Sequence, residues 1–287
     1  MKVTIIGAAG RMGSWFSRYL SKNGHEVYAY DKAELTSTNY SVHVIRRSEL
    51  KGIIYNTDTL MLCVPMHSIY ESIRLARYMR PNSLLIEITS IKQGIPKRLK
   101  YYSSKYNIKP LSIHPLFGPG ADIDALNRYA LVPVINAEEE YSIARSIFKG
   151  RIITVDEDVH DRTMAYILGM VYIMNVAWLM LTDRKERDLL NELGGSTYRV
   201  QSILAESILN DDHDLFASLC MNRYVEYYLE RFIDINRSIV EHVKSRDAEY
   251  LKSIYSSLKD EIGSNDISNS YRLMYKILTS MSDEHQR

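Results

Sequence analysis

His114 is the side chain in this sequence best suited to moving a proton, because an unperturbed imidazole titrates near pH 6.5 and can give or take a proton at operating pH. It ends the apolar run Leu111 to Ile113 and is followed by Pro115 and the turn Gly118-Pro119-Gly120. Ser90 follows a second apolar run, Leu84 to Ile88, where its hydroxyl could orient either the ring or a substrate hydroxyl. His67, in Val64-Pro65-Met66-His67, is a rival for the acid or base role. Each histidine also has a plainer reading as a hydrogen-bonded structural residue, and position alone leaves both readings open.

A second constellation speaks for a dinucleotide. Val3 to Ile6 runs directly into Gly7-Ala8-Ala9-Gly10-Arg11-Met12-Gly13, the order strand, glycine turn, helix in which tight turning and close backbone approach to a pyrophosphate require glycine. The helix start then offers amide donors and partial positive charge to the phosphates. Ala8 stands where the usual Gly-x-Gly-x-x-Gly pattern has its first glycine, so the turn alone is a weak signal. Asp31, closing the run Glu26 to Tyr30, strengthens it. An acid about 20 residues beyond the turn can accept from a ribose hydroxyl and repels a 2′-phosphate. Gly7, Gly10, Arg11, Met12, Gly13, Asp31, Val64 and Pro65 are therefore the expected cofactor residues, with NAD favoured over NADP.

These groups need a scaffold that brings strand ends together. Short apolar runs alternate with helical patterns through the first half: Val3 to Ile6, Glu26 to Tyr30, Val42 to Ile45, Leu60 to Val64, Leu84 to Ile88 and Leu111 to Ile113, then Ala130 to Ile135 and Arg151 to Val155. That alternation predicts βαβ units and a parallel sheet, with ligands at the carboxyl ends of the strands. Beyond Asp156 there is no proline, and apolar residues recur at helical spacing through Tyr198 to Leu209, Leu215 to Ile233 and Tyr271 to Met281. The expected fold is an α/β Rossmann-like parallel-sheet domain over 1–156 followed by an all-α domain over 157–287 for substrate binding and dimerisation.

Composition excludes several classes. With 46% hydrophobic and 25% charged residues, the 287-residue chain is an ordinary globular sequence. Its 36 Lys and Arg against 35 Asp and Glu leave a net charge of +1, so no overall field attracts nucleic acid or a membrane surface. Two distant cysteines, Cys63 and Cys220, offer neither a metal cluster nor a disulfide framework. With no signal-peptide pattern, a cytoplasmic location is expected. The uncharged stretch Thr163 to Thr182 is long enough to span a bilayer, but it is expected instead to be a helix buried on all faces in a domain or subunit interface, making a homodimer.

The glycine turn, Val64-Pro65-x-His67, Thr89-Ser90-Ile91-Lys92 and above all His114-Pro115-Leu116-Phe117-Gly118-Pro119 resemble the prephenate dehydrogenase family of tyrosine biosynthesis. In the second half, His160-Asp161-Arg162-x-Met164-Ala165-Tyr166, Tyr198-Arg199-Val200, Asn210-Asp211 and Leu215-Phe216 are similar to that family too, so the resemblance reaches about residue 220. It implies NAD-dependent oxidative decarboxylation of prephenate, with His114 accepting the ring-hydroxyl proton and Ser90 holding it in register. It further implies that Arg199 binds a substrate carboxylate, for which a planar fork is suited, and that Lys92 adds positive potential near the substrate. No metal is implied. A monofunctional enzyme is expected, with no chorismate mutase domain before Met1.

Competing readings are arogenate as substrate, a β-hydroxyacid-type dehydrogenase, a pyrroline-carboxylate-type reductase, and a nucleotide-sensing protein without chemistry. The β-hydroxyacid class expects a lysine on the first long helix of the second domain, and none occurs between Lys149 and Lys185. The reductase would leave the His114 segment and Arg199 unexplained. The sensing protein would have no use for Ser90, His114 and Arg199 together.

Overall fold

The computed structural model describes residues 1–35 and 42–284. The chain forms two compact units, Met1–Met164 and Ala165–Arg287.

The first unit is built on eight strands: β1 (Lys2–Ile6), β2 (Glu26–Tyr30), β3 (Val42–Val44), β4 (Thr59–Leu62), β5 (Leu84–Glu87), β6 (Lys109–Pro115), β7 (Asn127–Leu131) and β8 (Gly150–Thr154). They lie in the order β3-β2-β1-β4-β5-β6-β7-β8. Every pairing is parallel except β6 with β7. The chain thus builds outward from β1 in one direction through β3 and then in the other from β4. That reversal opens a crevice beyond the strand ends, where such sheets bind ligands. β4 and β5 are buried along their whole length, as strands covered on both faces must be. All eight expected strands are present. β6 is longer than expected, so His114 sits inside the strand, paired with Ala130, and not beyond its end.

Six helices flank this sheet in the chain: α1 (Arg11–Lys22), α2 (Leu50–Asn56), α3 (Met66–Ser72), α4 (Ile95–Tyr106), α5 (Ala137–Ile147) and α6 (Glu157–Met164). α1 carries Met12, Trp15, Phe16, Tyr19 and Leu20 at the spacing of one helical face. Trp15 and Phe16 are fully buried, and Trp15 packs on Phe117 with ring centroids 4.8 Å apart while its indole N–H donates to the Ala121 carbonyl at 2.8 Å. This ties the segment after His114 to the helix that follows the glycine turn.

The second unit is helical: α7 (Val171–Leu179), preceded by a π-helical turn Ala165–Met170, then α8 (Arg184–Leu193), α9 (Ser196–Ser207), α10 (His213–Cys220), α11 (Val225–Lys244), α12 (Ala248–Ile262) and α13 (Ser264–Glu284). α8 begins with a reciprocal cap: Asp183 accepts from the Glu186 amide and Glu186 from the Asp183 amide, each at 2.9 Å. Such a pair satisfies two otherwise orphaned donors. In the π turn, a Cβ on Gly169 would fall 2.6 Å from Val225 Cγ2, so glycine lets α11 approach closely.

Two expectations for this half are corrected. The run Leu215 to Ile233 is two helices, because the turn at Asn222, whose side chain accepts from the Tyr224 amide at 3.1 Å, ends α10 and restarts the chain as α11. The uncharged stretch Thr163 to Thr182 is not buried on all faces of the single chain: Tyr166 is 61% and Met180 80% exposed. By length and composition, Glu157–Leu179 is apolar enough to cross a membrane, with a third of its most apolar window buried. Core helices of soluble proteins pass that same test.

Candidate functional site

The glycine turn has the geometry of a phosphate cradle. Gly7 has φ +85°, and a Cβ there would lie 2.2 Å from the Cys63 carbonyl oxygen. At Gly13 a Cβ would lie 2.0 Å from the Gly7 oxygen. Neither position admits a side chain, so the turn, the end of β4 and the start of α1 are in backbone contact. Gly10 caps α1 with no side-chain hydrogen bond, so the first turn of the helix, from Arg11 through Gly13, presents its amino-terminal end to the turn. Val64 adjoins Gly7, and Pro65 caps α3. The structure therefore brings the turn and the Val64-Pro65 segment together.

Asp31, just beyond β2, accepts from the Ala9 amide at 2.9 Å and the Ala33 amide at 3.0 Å. Its carboxylate is fixed against the glycine turn, and each oxygen retains a lone pair for a ribose hydroxyl. The chemistry of this set fits a dinucleotide: an amide-lined cradle for the diphosphate and a carboxylate for the ribose.

His114 is 4% exposed. Burial, with His160 and Lys92 as further causes, holds its imidazolium form well below the ordinary pKa, so the ring is neutral near pH 7. Its Nδ1 lies 3.1 Å from His160 Nε2, and His160 Nδ1 lies 2.8 Å from Asp161 Oδ1. Among the described residues no other hydrogen bond reaches the His114 ring, which leaves Nε2 available to a ligand.

Ser90 is half-buried and does not hydrogen-bond His114 in this structure. The hydrogen-bond partner of the ring in this structure is His160, on α6. That helix is pinned to the Ser90–Gly94 loop by two acids one turn apart. Glu157 accepts from the Gly94 amide and Asp161 from the Lys92 amide, both at 2.8 Å.

Lys92 lies in the same loop. Its side chain is fully buried and its ammonium donates to Glu87 Oε1 at 2.6 Å and to the Ile113 carbonyl at 3.0 Å. Glu87 accepts further from Ser112 Oγ at 2.5 Å and from the Thr89 amide and hydroxyl at 2.9 and 2.6 Å. Lys92 is enclosed beside the strand that carries His114, with its ammonium paired to Glu87. Sequence reasoning missed the roles of His160, Asp161 and Glu87. For the first two the signal was the His-Asp pair at the head of a helix.

Within the second unit, Arg199 stands exposed on α9 beside a cavity of about 290 Å³ lined also by Gly194, Gly195, Ser196, Tyr275 and Thr279. Its guanidinium makes no ion pair among the described residues. Asp212, His213 and Asp214 bring three ligand atoms within 4.8 Å of one another, but all are exposed and Asp212 is already accepting from the Asp214 amide as the cap of α10.

A doubly wound sheet with a glycine cradle and an acid closing β2 defines the Rossmann-like nucleotide-binding class. Residues 16–147 match the family described as prephenate dehydrogenase, nucleotide-binding domain. That stretch of the nucleotide-binding unit is similar to the prephenate dehydrogenase family, the same family its motifs resemble. The T-protein of Haemophilus influenzae is 25% identical over 77% of this chain and 56% of its own length. A probable arogenate/prephenate dehydrogenase of Methanocaldococcus jannaschii is 23% identical over 94% of this chain and 63% of its own. The chain thus spans about three fifths of these relatives. The same fold is seen in prephenate dehydrogenase from Aquifex aeolicus in complex with hydroxyphenyl propionate and NAD+, with TM-score 0.67 at 16% identity over 92% of this chain and 98% of that one. Synechocystis arogenate dehydrogenase gives 0.66 at 17% over 91% and 98%.

Proposed function

We propose that the protein catalyses NAD-dependent oxidative decarboxylation of prephenate to 4-hydroxyphenylpyruvate. The observation that carries this reading is the presence, in one unit, of an open dinucleotide cradle and a buried neutral imidazole whose Nε2 makes no hydrogen bond among the described residues. Gly7, Gly10, Arg11, Met12, Gly13, Val64 and Pro65 would line the cofactor, and Asp31 would take the adenosine ribose in preference to a 2′-phosphate. When bound, NAD supplies the hydride acceptor.

His114 Nε2 takes the ring-hydroxyl proton as hydride leaves the same carbon. The resulting dienone loses its ring carboxylate as carbon dioxide, the bonding pair flows to the carbonyl oxygen, and His114 returns the proton to the phenolate. Prephenate and NAD become 4-hydroxyphenylpyruvate, carbon dioxide and reduced NAD, with no net proton released. Arg199 would hold a substrate carboxylate. Ser90, near the same strand ends, would contact the substrate hydroxyl and not the His114 ring. Lys92 is assigned a supporting role under His114.

A homodimer through the helical unit is part of this reading, because apolar side chains such as Tyr227, Phe232, Ile233 and Val243 on α11 are exposed in the single chain. Light scattering should give twice the chain mass; a monomer at micromolar concentration would exclude it. Both cysteines are free thiols, which suits the reducing cytoplasm. The direct test measures nicotinamide reduction with prephenate and with arogenate, each with NAD and with NADP. Prephenate with NAD should be the fastest combination. Absence of reduction with every pair would overturn the reading.

A further inference from the structure

We propose that His160 and Asp161 are positioning residues that fix His114 in the tautomer with its proton on Nδ1, and that His160 receives that proton when His114 is charged at Nε2. The proposal rests on the reading of His114 as the acceptor of the substrate proton, and it assigns work to two residues that reading does not use.

The three groups form one enclosed line. His114 is 4%, His160 1% and Asp161 0% exposed. The contacts run Asp161 Oδ1 to His160 Nδ1 at 2.8 Å and His160 Nε2 to His114 Nδ1 at 3.1 Å, with the imidazole planes inclined at 73°. A carboxylate only accepts, so His160 Nδ1 carries the proton of the first contact. In neutral His160 the Nε2 is then an acceptor, and His114 Nδ1 must donate. A lone pair remains at His114 Nε2, the atom with no partner among the described residues.

The same geometry answers a difficulty of the site. Burial makes a charged His114 costly, yet the reaction must charge it for the time between hydride loss and collapse of the dienone. A proton reaching Nε2 can be matched by movement of the Nδ1 proton along its hydrogen bond to His160 Nε2. The positive charge then rests on His160, 2.8 Å from the Asp161 carboxylate. No bond other than N–H is made or broken, and the movement reverses when His114 returns its proton to the phenolate.

Asp161 is itself held for this task. Its Oδ1 also accepts from the Lys92 amide at 2.8 Å, in the loop that Glu157 pins through Gly94. The carboxylate position is thus set by backbone from an element other than its own helix. An aspartate whose only task was to start a helix would need neither His160 nor this loop.

The first test needs no substrate: ¹⁵N NMR of the full-length, histidine-labelled protein should show His114 protonated at Nδ1 and bare at Nε2. His114 protonated at Nε2 would overturn the proposal. The second test is kinetic. His160→Ala should lower kcat by roughly 10² to 10⁴, the range for loss of a correctly oriented acid–base group, with KM for substrate and NAD within about threefold of wild type. Added imidazole should restore part of that kcat, which a purely structural lesion would not permit. Should His160→Ala fail to fold, Asp161→Asn serves, with the expectation that the His114 tautomer reverses or becomes mixed and kcat falls on the same scale. A kcat within about threefold of wild type in a folded variant would sink the relay. If His114→Asn is also without effect, the functional reading fails as well; if His114→Asn alone abolishes turnover, only the relay fails.

Discussion

Lys92 and Glu87 form an ion pair at 2.6 Å with no exposed side-chain surface on either partner. The pair lies under β5 and β6, and Ser112 and Thr89 supply the remaining donors to the carboxylate. Breaking such a pair from one side strands a buried charge. Lys92→Met should therefore cost about 3–5 kcal/mol of unfolding free energy, read from the urea midpoint. The double variant with Glu87→Gln should recover part of the loss, since it removes the stranded carboxylate. A loss under about 1 kcal/mol would show that the carboxylate is not committed to the lysine.

The sheet was legible because its strands are short aliphatic runs separated by helical patterns, and because parallel strands covered on both faces leave few polar interruptions. The cradle was legible for a related reason: only glycine can occupy positions 7 and 13, so the requirement is written in residue type. The partners of His114 were not. His160 is 46 positions away in the chain, and neither periodicity nor local spacing joins a strand residue to the head of a later helix. The burial of Lys92 was hidden for a different reason. A lysine is exposed by default, and its enclosure follows from Glu87, whose own burial reads as an ordinary strand end until the fold is known. The break between α10 and α11 had only Asn222 to announce it, without glycine or proline.

The glycine cradle makes a sharp steric prediction. Gly13→Ala would drive a methyl to 2.0 Å from the Gly7 carbonyl oxygen, with Ala8 Cα also within 2.9 Å. Backbone atoms cannot swing away as a flexible side chain would, so the helix must shift from the turn. The expected result is loss of about 1–3 kcal/mol of stability, the usual cost of overpacking, together with a weakening of NAD binding by at least roughly tenfold, the equivalent of 1.4 kcal/mol. Calorimetric titration with NAD measures the second effect. Unchanged affinity would place the dinucleotide elsewhere.

Stability should depend on pH through His114. Burial, with the neighbouring His160 and Lys92 as lesser causes, depresses its pKa in the folded chain, whereas unfolding returns it to about 6.5. Below that pH the unfolded chain takes up a proton that the folded one resists. The contribution is fully present above about pH 6.5 and is lost as pH falls toward the folded value, at up to about 1.4 kcal/mol per unit. Urea midpoints for wild type and His114→Gln from pH 7.5 down to about 5 should converge as wild type loses this term, which the variant lacks at every pH. Parallel profiles would mean that His114 titrates normally in the fold.

Arg199 gives the prediction that reports on the substrate alone. It stands at a cavity of about 290 Å³ with Ser196 and Tyr275, whose hydroxyls approach to 3.4 Å. Its guanidinium makes no ion pair among the described residues, and the pocket carries no acid among its lining residues. A carboxylate entering there would meet a planar fork of donors with neutral hydroxyls beside it, the arrangement that favours bidentate pairing. Arg199→Ala should remove about 1.5–3 kcal/mol of binding, the scale of a charged hydrogen bond, and so raise KM for prephenate by roughly 10- to 150-fold. NAD affinity should stay within about twofold, because the cradle belongs to the other unit. Arg199→Lys should recover only part of the loss, since a single ammonium cannot reproduce the fork. Steady-state kinetics with prephenate varied at saturating NAD separates the outcomes. A KM that does not move, or a parallel loss of NAD binding, would remove Arg199 from carboxylate recognition.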